Sequence, residues 1–276
     1  THKVRGKVLY WDIPEGYWNI TVIKSTFSGS GRKKYINTID ASSVRFFLDV
    51  VYESHLEHYG EDFGNTFAGF FSDEPELGNC LGEYGHNAAI GQPDMKLPWG
   101  EELFGMVKSF WGSGFAVRLA ALWNQMGNLS PQSRYEYMNM VTDLYGGNFC
   151  GQIGEWCREH GVEYIGHVIE DNGTHARLGL GTGHYFKALW GQHMSGIDVV
   201  LQQIRPGYDK MDFYHIGGKG TYNGTFFHHG LAKMGASLGH LDPKKKGRTM
   251  CEVYCAYGWS EGLKLMKWLT DHMLVR

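Results

Sequence analysis

Gly69-Phe70-Phe71-Ser72-Asp73-Glu74-Pro75-Glu76 is the stretch on which the fold turns. With Thr66, Phe67 and Ala68 ahead of it, it reads as an apolar, aromatic strand that stops on carboxylates and a proline. A strand without polar alternation is buried on both faces, as in a parallel sheet covered by helices. Carboxylates at the end of such a strand stand where α/β barrels build their active sites.

The same pattern recurs downstream. Residues 162–169 form an apolar strand running into Glu170-Asp171-Asn172, residues 197–204 another running into Arg205-Pro206-Gly207, and residues 249–254 a third interrupted by Glu252. Helical spacing occupies 41–59, 100–111, 114–126, 131–160, 225–241 and 261–275, with Asp40 as an N-cap and Ser130-Pro131 as a capped start. Residues 77–98 carry Gly, Asn and Pro without periodicity and read as a long loop, a length that is usually functional. Strands alternating with helices predict an α/β fold of the TIM-type barrel class, one domain over 1–276. It opens with a β-hairpin inside 1–28, its strands at 8–13 and 18–25. Four βα units are too few to close a barrel, so the barrel is expected to be incomplete in this chain. Its open edges make a homo-oligomer the expectation.

Composition narrows the function classes. Lys+Arg number 26 and Asp+Glu 29, a formal charge of -3, which excludes a dedicated nucleic-acid binder. Hydrophobic residues at 42% and charged residues at 20% are globular values. No apolar run reaches membrane-spanning length and the N-terminus has no signal-peptide core, so a soluble chain is expected and its compartment is left open. Five scattered cysteines without a CxxC pair indicate reduced thiols rather than disulfides or structural zinc. The 15 Phe, 16 Tyr and 9 Trp sit beside carboxylates, amides and histidines, a mixture that suits both sugar-binding clefts and aromatic cores.

Three constellations could carry chemistry. Asp73-Glu74 at a strand end suits general acid work, or equally a turn or helix cap. Glu252 inside a strand must face a polar cavity or an ion-pair partner, because an unpaired buried charge is costly. His167-Val-Ile-Glu-Asp-Asn-Gly-Thr-His175 offers two histidines, Glu170 and Asn172 for sugar hydroxyls, for a metal, or for structural hydrogen bonds. Gln202 and Gln203, at the end of the 197–204 strand, are candidate substrate amides. His228, His229 and His240 read as polar residues of a helix, and no nucleotide-binding or nucleophile-elbow motif occurs.

Phe70-Phe-Ser-Asp-Glu-Pro-Glu76, Gly166-His-Val-Ile-Glu-Asp-Asn172 and Met250-Cys-Glu-Val-Tyr-Cys-Ala-Tyr-Gly-Trp259 resemble the catalytic barrel of large bacterial glycoside hydrolases related to the α-L-rhamnosidases of family 106. Tyr10-Trp-Asp-Ile-Pro-Glu-Gly-Tyr-Trp18 resembles a hairpin of those multidomain chains. The resemblance implies an (α/β)8 barrel and cleavage of a glycosidic bond in a glycoside or oligosaccharide, with Glu74 as general acid and Glu252 as nucleophile or base. Asp73, His167, Glu170, Asn172, His175 and Gln203 are then the substrate-contact candidates. It also implies a calcium ion near the sugar, for which no ligand set matches here residue by residue, so no cofactor is assigned. The competing readings are a metal-dependent barrel hydrolase using His167, Glu170 and His175, and a non-catalytic carbohydrate-binding barrel fragment.

Overall fold

The computed structural model describes residues 2–6, 8–27, 34–79, 89–169, 179, 181–214 and 221–276. In chain order the elements are β1 (His2–Arg5), β2 (Val8–Trp11), α1 (Ala41–Phe47), α2 (Glu53–Tyr59), β3 (Gly69–Ser72), α3 (Glu101–Trp111), α4 (Phe115–Ala121), α5 (Leu129–Leu144), α6 (Gln152–Glu159), β4 (Glu163–Gly166), α7 (Tyr185–Ala188), β5 (Ser195–Val199), β6 (Asp212–Tyr214), β7 (Thr221–Asn223), α8 (Ala232–Leu241), β8 (Thr249–Val253) and α9 (Gly262–Leu274). Asp40 caps α1 as its sequence position predicts, its carboxylate accepting the Ser43 N–H at 2.8 Å.

Four strands make the frame. β3 pairs in parallel with β4, Gly69 opposite Glu163, and β5 pairs in parallel with β8, Ser195 opposite Thr249. The two pairs meet where the His193 N–H donates to the Tyr164 carbonyl at 2.8 Å and the Tyr164 N–H donates to His193 Nδ1 at 2.9 Å. A Cβ on Gly196 would collide with the Gly166 carbonyl, so this seam closes only because Gly196 has no side chain. The row therefore runs β3, β4, β5, β8. Its strands are parallel within each pair and connected through helices, as the alternating pattern predicts. Among the described residues they form a row, not a closed barrel.

Period-two alternation sorts each strand into two faces. Ile197 and Thr249 lie against α8 at Gly235, and the Ser195 hydroxyl donates to the Gly235 carbonyl at 2.7 Å. Asp198 and Glu252 are register partners on the opposite face. On β3, Phe70 goes to the helical side, stacked on Tyr52 at 4.0 Å and edge-on to Trp156 at 6.0 Å. Phe71 turns the other way, its ring centroid 5.8 Å from that of His167. One layer of helices thus buries the apolar half of each strand and leaves the polar half facing a common space.

Several boundaries differ from the sequence reading. The hairpin pairs Val8–Trp11 with His2–Arg5 through Gly6, whose φ of 61° provides the left-handed turn; residues 18–25 form no strand. The predicted helices over 41–59, 131–160 and 225–241 each contain a π-helical stretch, at Leu48–Tyr52, Tyr145–Gly151 and Phe226–Leu231. The 197–204 strand ends at Val199, and β6 and β7 form a short antiparallel pair that the pattern does not signal. No described helix is long and apolar enough to cross a membrane.

Candidate active site

The carboxyl ends of the four strands converge on one imidazole. His167 follows β4 and is fully buried, its N–H extending the β3–β4 pairing to the Ser72 carbonyl at 3.3 Å. Its Nδ1 faces the Val168 carbonyl at 3.2 Å, while Nε2 lies 3.3 Å from Asp73 Oδ1 and 3.2 Å from Glu252 Oε2. A carbonyl and carboxylate oxygens accept hydrogen bonds, which is what an imidazole N–H in this position can meet. Asp73, His167 and Glu252 offer ligand atoms within 4.8 Å of one another, and so do Glu74, His167 and Asp198.

Accessibility divides the group. Asp73 and Glu252 side chains are 71% and 39% exposed, whereas Asp198 is 8% exposed. Four carboxylates around one imidazole give a cluster whose charge balance is negative. Such a cluster favours a cation, or the positive charge that develops in a transition state.

Backbone strain gathers at the same place. Of six described non-glycine residues with positive φ, five lie just past strand ends: Glu74 after β3, Leu201 and Gln202 after β5, Tyr254 and Ala256 after β8. Each costs on the order of 1–3 kcal/mol, and strain of this kind concentrates at functional sites. Two of these turns hold each other: the Leu201 N–H donates to the Cys255 carbonyl at 3.0 Å and the Gln202 amide to the Tyr257 carbonyl at 3.3 Å. Tyr257 in turn donates through its hydroxyl to the Ile204 carbonyl at 2.9 Å. The strand ends are therefore fixed, which is what positioning a reacting group requires.

The sequence-derived candidates separate accordingly. Asp73, Glu74, His167 and Glu252 come together. Gln203 is turned into its own loop, 1% exposed, with its side-chain oxygen accepting the Val200 N–H at 3.1 Å. Glu170, Asn172 and His175 lie outside the described residues. His229 sits near Asp209, 3.8 Å away, and is not part of either cluster at His167. Asp198 was passed over by the sequence reading, although a lone carboxylate in an apolar strand is the same signal that singled out Glu252. Both three-residue groups that could hold a metal among the described residues include His167. An imidazole among carboxylates suits a transition metal, whereas calcium takes six to eight oxygen ligands.

No family model matches this sequence, and no curated protein matches it. Among solved structures it is similar to a rhamnosidase from Novosphingobium sp. PP1Y, at 16% sequence identity and a TM-score of 0.58. The likeness covers 86% of this chain and 19% of that one. The chain thus shares its fold with a portion of a much longer protein.

Proposed function

We infer that this chain carries the acid/base site of a glycoside hydrolase, on a barrel-type α/β frame only part of which it supplies. The carrying observation is the convergence of Asp73, Glu74, Asp198 and Glu252 on His167 at the carboxyl ends of four neighbouring strands. The likeness to a rhamnosidase supports the reading at the level of fold.

Glycoside cleavage needs two carboxyl groups flanking the scissile bond. Glu74, held in a left-handed turn at the rim, donates a proton to the departing glycosidic oxygen. Glu252, on β8 and open to solvent, attacks the anomeric carbon or activates water. His167 holds the Asp73 and Glu252 carboxylates in place through Nε2, and Asp73 takes substrate hydroxyls. The excess of carboxylates favours the oxocarbenium-like charge of the transition state over the neutral ground state. Rhamnosides are the first substrates to try.

A second reading, a metal-dependent hydrolase, draws on Asp73, His167 and Glu252 lying within 4.8 Å of one another. Bound metal would act there as a Lewis acid, with Asp73 and Glu252 as ligands. A panel of aryl glycosides, rhamnosides included, tests both readings against wild type, Glu74→Gln and Glu252→Gln, with elemental analysis of the purified chain. Hydrolysis that falls at least about a hundredfold in both variants, with no stoichiometric metal, supports the glycosidase. A stoichiometric transition metal lost on His167→Ala supports the alternative. Activity that survives both substitutions, or silence from the wild type on every glycoside, overturns the assignment.

A further inference from the structure

A cavity of about 430 Å³ lies among the helices and turns that lead into the strand row. Two of its lining residues, Trp190 and Lys244, precede the amino ends of β5 and β8, whereas the carboxylate cluster lies at their carboxyl ends. A five-residue strand spans about 16 Å, so the cavity is separate from the candidate active site.

Three independent features shape it. Trp190 is 43% exposed, with the Lys244 ammonium over its ring at 5.6 Å from the centroid. One wall is the π-helical stretch Tyr145–Gly151, and π-helical turns within longer helices are frequently found at functional sites. In that wall stands Gly147, exposed and with nothing within 4 Å of where its Cβ would be. A glycine inside a helix destabilises it relative to alanine. Its neighbours Gly146 and Gly151 are explained by tight backbone packing against the Lys187 and Gly146 carbonyls, but no atom of the described residues requires the absence of a side chain at Gly147. Its effect is to leave the cavity open beside Trp190.

The polar rim narrows the chemistry. Lys187 Nζ is 2.7 Å from Asp143 Oδ1, and Arg158 pairs with Glu155. Lys244 Nζ donates to the Trp190 carbonyl at 2.9 Å. With these cations already engaged, the rim is poorly disposed to phosphate, and its ionised groups are poorly disposed to a hydrocarbon. A hydroxyl, in contrast, donates to a carboxylate and accepts from an ammonium or guanidinium at once. An aromatic plane beside such a rim matches a ring with an apolar C–H face and a hydroxylated edge.

We propose that this cavity is a second, non-catalytic carbohydrate site, in which a pyranose ring stacks on Trp190 and its hydroxyls meet the Asp143–Lys187 and Glu155–Arg158 pairs. The site goes beyond the hydrolase reading and stands or falls separately from it. The test is fluorine NMR of the chain labelled with fluorotryptophan, the Trp190 line being assigned by its loss in Trp190→Phe. The probes are the methyl pyranosides of glucose, galactose, mannose and rhamnose at millimolar concentration. The expected result is a saturable shift of the Trp190 line with at least one probe. That shift persists in Glu252→Gln and weakens at least tenfold in Gly147→Gln, which sends a side chain into the cavity and suits a helix better than glycine. No shift with any probe, or a shift indifferent to Gly147→Gln, overturns the site. A shift abolished by Glu252→Gln assigns the binding to the strand-end cluster and overturns it equally.

Discussion

Replacing Lys245 by Met should remove a large part of the chain's stability. Lys245 is fully buried and Asp242 is 1% exposed. The Lys245 ammonium lies 3.2 Å from Asp242 Oδ2 and donates to the Leu189 carbonyl at 2.9 Å and the Gln192 carbonyl at 2.5 Å. It thereby ties the turn that starts β8 to the loop that starts β5. Burial pushes the Lys245 pKa down, and the hydrogen bond to Asp242 only partly restores it. Met keeps the apolar stem but strands the Asp242 carboxylate. Breaking a buried pair costs about 3–5 kcal/mol, and Lys244 Nζ, 3.7 Å from Asp242, places this case near 3. Two carbonyls losing their donor add about 1 kcal/mol each, and burial of the Met terminus returns about 1. The expected loss is about 4 kcal/mol, or roughly 10 °C in Tm for a chain of this size. Urea unfolding followed by tryptophan fluorescence measures it, and Asp242→Asn in the Lys245→Met background should recover about half. A loss below about 1 kcal/mol, or no recovery in the double variant, would refute the reasoning.

Other consequences follow from the same geometry. Gly196→Ala sets a methyl against the Gly166 carbonyl and should cost about 3 kcal/mol or leave the chain insoluble; a melting curve unchanged from wild type would show that the β4–β5 seam is looser than described. His272 is 6% exposed, and burial, with Arg276 and His228 nearby, lowers its pKa from 6.5 to about 4. Between pH 6.5 and 4 the unfolded chain takes up a proton that the folded chain refuses. Stability should therefore fall by about 2 kcal/mol across that window, discounted for partial solvent access, and His272→Phe should flatten the slope. Glu163 is held below the usual carboxylate range by its two hydrogen bonds from Arg248, at 2.6 and 3.0 Å. Its contribution is present above its unfolded pKa and is lost as pH falls through the lowered folded one, so Glu163→Gln should lessen the loss of stability at the acid end of the titration.

The strand frame was legible because its elements carry strong local signals. Gly69–Ser72 and Thr249–Val253 are apolar runs bounded by polar residues, and burial against helices enforces that composition. Asp73, Glu74 and Glu252 were legible for the converse reason: an ionisable group at or inside such a run has few structural excuses. The end of β5 escaped because the 197–204 run looks continuous. Periodicity cannot see that the chain turns left-handed at Leu201 and Gln202, which ends the strand and folds Gln203 inward. The π-helical stretches escaped because one extra residue per turn barely disturbs a helical pattern. The hairpin was misplaced because alternation in 18–25 is as regular as in a real strand, while the true partner, His2–Arg5, is four residues long. Convergence on His167 is a tertiary fact that local pattern does not encode.

The most direct measurement is the rate of aryl glycoside cleavage by Glu252→Gly, with and without sodium azide. If Glu252 is the nucleophile or base, the variant loses at least about a hundredfold in kcat. Azide, fitting the space vacated by the carboxylate, then restores turnover with a glycosyl azide as product. Wild-type turnover in Glu252→Gly without azide would contradict the assignment and move the chemistry away from the four strand ends.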